Sequence, residues 1–278
     1  MVLIAALHGI LTRQTDPSWP DKFSKWMYER DPQVHVATRH YWAGPFPRWN
    51  CWVKDPCLAR GLANELELFL GEPSVRCQVS RVRCQPSEPD APVSRNTQHA
   101  TRPSLWLLAH SNGAVIALLA AKRLIARGHR IGGLILTGAA CEADLDKNGV
   151  RAWCRTGALG AAIAYSSADD EVLDGDPSHG TDPRRSPLAT VRSWLWGRLM
   201  WPYGCLGRTG WVSSRSRITP HASRPPIFTR WYPGGHTAYF TPDRLEQTFS
   251  QIYHDIAHTE GAGPVVSTLA ADATATTI

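Results

Sequence analysis

Leu105-Trp106-Leu107-Leu108-Ala109-His110-Ser111-Asn112-Gly113-Ala114-Val115-Ile116-Ala117-Leu118-Leu119-Ala120-Ala121-Lys122-Arg123-Leu124 is the stretch on which the reading of this chain turns. Its first four residues form a short apolar run of the kind that makes a buried strand. From Ala114 onward the chain is rich in helix formers and runs to Gly128, a stop signal. Between the two sits Ser111, flanked at two residues' distance by Ala109 and Gly113. A tight strand-to-helix turn is strained, and small flanking residues let the helix pass close to the strand. A serine on such a turn has its hydroxyl held out as a nucleophile. Ala109 stands where the common pattern has glycine, and alanine still permits the approach. The five-residue string is common by chance; the strand before it and the helix after it give it weight.

Outward from this point the chain alternates strands and helices. Residues 2–7 read as a first strand ending at His8-Gly9. A helix near 20–30 carries Phe23, Trp26 and Met27 at helical spacing, and Asp31-Pro32 stops it. Val34 to Tyr41 alternates as a strand, a Pro/Trp-rich loop covers 43–57, and Leu58, Leu62 and Leu66 share a helix face that Gly71 closes. Residues 71–104 are polar and without period, which predicts a dispensable surface insertion. Past the serine, strands are expected at 133–138, 161–166 and 227–232, with a short helix or loop at 142–157 and a helix around 187–201. Thr241-Pro242-Asp243 is expected to cap a final helix bearing Leu245, Phe249, Ile252 and Ile256. The pattern predicts one domain over 1–258 and a disordered Ala/Thr-rich tail over 259–278.

Composition bounds the function. The 278 residues suit one α/β domain, and the net charge of +6 is spread along the chain as single arginines. That is ordinary solubility charge; with no reading motif beside it, nucleic-acid binding is not expected. Met1 to Leu7 lacks the positive start of a signal peptide, and no apolar run approaches the ~20 residues of a membrane span. The seven cysteines (51, 57, 77, 84, 141, 154 and 205) include no C-x-x-C pair, so free thiols and a cytoplasmic protein are expected, with no metal and no cofactor. Cys51–Cys57 or Cys77–Cys84 bonds would belong to an exported protein.

Alternating strands and helices imply a parallel sheet covered on both faces, with chemistry at the carboxyl ends of its strands. His8-Gly9, Ser111, Asp170 and His236 all fall just after expected strands. Acyl transfer by serine needs a base for the hydroxyl proton, an acid that orients the base, and donors for the developing oxyanion. The chain supplies Ser111, then Asp169-Asp170, then His236, in that order. His110 is expected to pack or bond locally and His8 to shape the loop after the first strand. The tryptophans at 42, 49 and 52 and at 194, 196 and 201 read as core or rim before substrate platform.

At these residues the chain resembles the α/β-hydrolase superfamily, in particular its small serine esterases and lipases. The resemblance spans 1–258 and rests on Leu7-His8-Gly9-Ile10, the elbow at 109–113, Ser166-Ser167-Ala168-Asp169-Asp170-Glu171-Val172-Leu173 and Gly235-His236-Thr237-Ala238-Tyr239-Phe240. It implies an α/β-hydrolase fold with a mainly parallel sheet of about six strands and no large cap. It also implies Ser111 as nucleophile, His236 as general acid/base, and Asp169 or Asp170 as orienting acid. Ser167 and Val172-Leu173 favour Asp170. The backbone N–H groups of Ile10 and Asn112 would form the oxyanion hole. The expected substrate is a small-molecule or lipid ester; a catalytically silent binding protein, a thioesterase and a peptidase are the alternatives.

Overall fold

The computed structural model describes residues 1–9, 18–41, 53–71, 104–173, 204–213, 223–224 and 226–261. Along the strand Ser104–His110 (β3), successive side chains alternate between two faces of one sheet, and both faces are covered. Leu105, Leu107 and Ala109 point to one side, where they meet the helices Asp55–Gly71 (α2) and Gly113–Ala126 (α3). Trp106 and Leu108 point to the other, towards the helices Trp19–Arg30 (α1) and Leu245–Thr259 (α6). A strand buried on both sides has no polar face to show, which is why β3 reads as a continuous apolar run.

The strands Val2–Leu7 (β1), Val34–Arg39 (β2), Ile131–Thr137 (β4), Leu159–Ser166 (β5) and Ile227–Trp231 (β7) lie parallel with β3 in the order β2-β1-β3-β4-β5-β7. A two-residue strand, Ser223–Arg224 (β6), pairs antiparallel with β7 and completes the seven-stranded sheet. The order starts in the middle with β1, runs outward to β2, and returns past β1 to β3. That reversal opens a crevice at the carboxyl ends of β1 and β3, where ligands bind in sheets of this type. The connection from β4 to β5 holds one short helix, Val150–Arg155 (α4), and no cap domain, and a single turn, Leu206–Thr209 (α5), lies between β5 and β6.

Polar ties hold the outer helices. Asp255 of α6, 2% exposed, accepts hydrogen bonds from Tyr165 Oη of β5 (2.7 Å) and Arg230 Nε of β7 (2.6 Å). A carboxylate so buried is tolerated because its lone pairs are matched by donors. Glu260, just past α6, accepts from Trp106 Nε1 at 2.7 Å and from the hydroxyl of Ser104. Thr259 ends α6, and Glu260 is tied by these bonds to β3.

Several boundaries differ from the sequence expectation. The strand from Val34 ends at Arg39, two residues early. The final helix begins at Leu245, and its N-cap is Arg244 with no side-chain cap. Thr241 does not cap it: its hydroxyl donates to the carbonyl of Ala238 (3.1 Å), because a 3-10 turn at Ala238–Phe240 precedes the helix. Of the Pro/Trp-rich loop expected over 43–57, residues 55–57 instead open α2, whose first turn tolerates Pro56; its part up to residue 52, the polar stretch inside 71–104, the helix expected at 187–201 and the tail from 262 lie outside the described residues. Cys57, Cys141 and Cys154 are free thiols; Cys51, Cys77 and Cys84 fall outside the described residues. Among the described residues no helix is long and apolar enough to cross a membrane.

Candidate active site

Ser111 sits between β3 and α3 with φ of 56°, the left-handed region that a side chain rarely adopts. It is the only non-glycine residue there among the described residues. The conformation is held on both sides of the residue: Ser111 N–H donates to Thr137 O, and Ser111 O accepts from the N–H groups of Ala114 and Ala140, each at 3.1 Å. Backbone strain of this sort costs free energy and survives where the surroundings over-determine it.

Small neighbours make the turn possible. A β-carbon on Gly113 would lie 2.7 Å from His8 O, a main-chain atom that cannot step aside. One on Gly9 would lie 2.6 Å from Ser111 Cβ. The chain after β1 therefore passes directly against the serine. Ala109, fully buried and in register with Leu7 and Leu136, fits the remaining small position.

Asp170 and His236 arrive from the ends of β5 and β7. His236 Nδ1 lies 2.8 Å from Asp170 Oδ2, and its Nε2 lies 2.9 Å from Ser111 Oγ. A carboxylate only accepts, so Nδ1 carries the imidazole proton and Nε2 accepts from the serine hydroxyl. Asp170 is fully buried and takes a second hydrogen bond, on Oδ1, from Leu173 N–H at 3.1 Å. Asp169 is exposed and turned away; its carboxylate accepts from Gly234 N–H at 3.3 Å. The adjacent acids thus differ in place: Asp170 touches His236, and Asp169 fastens the loop that carries it. Ser167 adds a hydrogen bond from its hydroxyl to Gly234 O.

Asn112 follows the serine, and its backbone N–H donates to no main-chain oxygen among the described residues. Its side-chain Nδ2 donates to Asp55 Oδ1 at 3.2 Å, with both residues buried. Asp55, in the first turn of α2, falls in the Pro/Trp-rich stretch that the sequence alone reads as a loop, and nothing in that reading singles it out. Ile10 lies outside the described residues. Two further imidazoles stand nearby. Burial lowers the pKa of His8, and burial together with the charge of His236 pushes His110 down to about 3. Among the described residues no group of His, Cys, Asp and Glu side chains is arranged to hold a metal ion.

The six parallel strands, the helices on both faces and the strained serine turn at the carboxyl end of β3 define an α/β-hydrolase fold. No family model matches the chain, and no curated protein matches it. Solved structures of similar fold include the NocB thioesterase domain in covalent complex with a fluorophosphonate nocardicin G analog, at 15% identity over 92% of this chain and 95% of that one, with a TM-score of 0.41. The RedJ thioesterase of the prodiginine pathway in Streptomyces coelicolor matches at 14% identity, 91% and 90% coverage and a TM-score of 0.39. Est2, a thermophilic esterase from Thermogutta terrifontis, matches at 12% identity, 96% and 84% coverage and a TM-score of 0.44. Likeness at this level assigns no substrate and no residue role.

Proposed function

We propose that the chain is a serine hydrolase that cleaves carboxylic esters of small molecules or lipids. The observation that carries this reading is the unbroken contact from Asp170 through His236 to Ser111, with the serine on a strained turn. Ser111 Oγ attacks the ester carbonyl carbon as its proton passes to His236 Nε2. The carbonyl oxygen takes the negative charge and is met by the N–H of Asn112, with Ile10 as the second donor. The carbonyl then re-forms, and the departing alkoxide leaves with the proton from His236. A water molecule, deprotonated by the same nitrogen, releases the acid and restores the serine. Asp170 keeps the proton of His236 on Nδ1 and stabilises the imidazolium. No cofactor is needed, and a cytoplasmic setting agrees with the free thiols.

The test is turnover of p-nitrophenyl esters of graded chain length, run beside acyl thioesters and a peptide substrate, by wild-type protein and Ser111→Ala. Ester cleavage by the wild type alone supports the reading. Faster cleavage of thioesters or peptide moves the protein to those substrates with the same residues, and no turnover of any of them points to a silent binding protein.

A further inference from the structure

The proposed chemistry leaves His110 without a task, although it adjoins Ser111. As the last residue of β3 its side chain goes to the α1/α6 face, beneath the loop of His236. Its Nε2 lies 3.0 Å from the carbonyl oxygen of His236. A carbonyl only accepts, so Nε2 carries the proton and Nδ1 is a bare lone pair. That Nδ1 is buried and has no partner among the described residues. The ring is enclosed by His236, Phe240 and Tyr239, with centroids 4.9, 5.3 and 6.4 Å away. With a pKa near 3 the ring is neutral at working pH, so it neither competes for the serine proton nor adds charge.

A phenylalanine would fill the same space without leaving a buried acceptor unsatisfied, which is costly. What the imidazole adds is one donor, aimed at the backbone of the proposed base. We propose that His110 is a positioning residue: the hydrogen bond from its Nε2–H to His236 O fixes the backbone from which the His236 ring reaches Ser111 and Asp170. The inference rests on the reading of His236 as the base. The loop is then pinned at two successive places, by Ser167 and Asp169 at Gly234 and by His110 at His236 itself. Displacement matters because rate falls steeply with misplacement, about a hundredfold for roughly 1 Å.

The experiment compares wild type, His110→Phe and His110→Gln in kcat and KM on a p-nitrophenyl ester, and in the proton resonance of the His236–Asp170 hydrogen bond. His110→Phe keeps a ring and loses the donor; kcat is expected to fall roughly ten- to a hundredfold with KM unchanged, and the resonance to move. Glutamine returns an amide donor near the place of Nε2, and should recover most of kcat and the resonance. Wild-type kcat in His110→Phe overturns the proposal, as does a glutamine variant as impaired as the phenylalanine one. Should His110→Phe not fold, nitrogen-15 histidine spectra of the wild type decide. A proton on Nε2 and none on Nδ1 from about pH 5 to pH 8 supports the bond, and a charged ring or the other tautomer overturns it. If wild type turns over no ester, thioester or peptide, the hydrolase reading fails, while the His236–Asp170 resonance in the variants still reports whether His110 positions that loop.

Discussion

Gly9 stands so close to Ser111 that a β-carbon on the glycine would lie 2.6 Å from the serine's own and 3.3 Å from its hydroxyl oxygen. The loop after β1 and the serine turn are therefore shaped against each other, at the place where the oxyanion would form. Gly9→Ala should lower kcat/KM by at least about tenfold, since small displacements at a reacting centre are costly. It should also destabilise the fold by about 1–3 kcal/mol, the usual range for overpacking. Gly61 is the control: it lies in α2 with open space around its α-carbon, and Gly61→Ala should leave activity alone and slightly raise Tm. Ester kinetics and thermal melts on both variants check this. A fully active Gly9→Ala protein would contradict the packing described.

The two adjacent acids make a paired comparison. Asp170 contacts His236 Nδ1 at 2.8 Å, and Asp169 contacts Gly234 N–H. Asp170→Asn should cut kcat by about four orders of magnitude, because an amide can donate to the imidazole and favour the wrong tautomer. Asp169→Asn takes only the charge from one exposed hydrogen bond to a loop, and a loss under about threefold is expected, equivalent to under about 1 kcal/mol. Steady-state kinetics on matched ester substrates separate the cases. A reversed ranking would move the orienting role to Asp169.

The depressed pKa of His110 has a stability consequence whose sign follows from linkage. In the unfolded chain this imidazole titrates near its ordinary 6.5, and in the folded protein near 3. Between those values the unfolded state holds a proton that the folded state does not, so stability falls as pH falls. From pH 7 to pH 5 the contribution is about 2 kcal/mol. His8, also lowered by burial, acts in the same direction, so only a difference between proteins isolates His110. Urea denaturation at both pH values should show wild type losing about 2 kcal/mol more than His110→Gln. Equal losses would mean that His110 is charged in the folded state.

Much of this was legible in the sequence, and the reason is local. β1 and β3 are buried on both faces, so they read as short apolar runs. Ser111 and Asp170 each follow the end of such a strand, His236 follows the partly buried β7, and the structure brings the three together. What was not legible depends on partners far along the chain. The bond from His110 reaches 126 residues and that from Asn112 to Asp55 reaches 57, so neither leaves a mark on local pattern. Thr241 carried a helix-cap signal, but the 3-10 turn before it supplies a carbonyl that takes its hydroxyl. β6 is two residues long, too short to show any period.

Reaction of the folded protein with a fluorophosphonate probe, read by intact mass and peptide mapping, tests whether Ser111 is the nucleophile. One adduct per chain is expected, on Ser111, formed at a rate that tracks ester turnover. In Ser111→Ala the adduct should be absent and turnover should fall by about 10⁶. A wild-type protein that cleaves esters without labelling, or an adduct that persists in Ser111→Ala, would contradict that assignment.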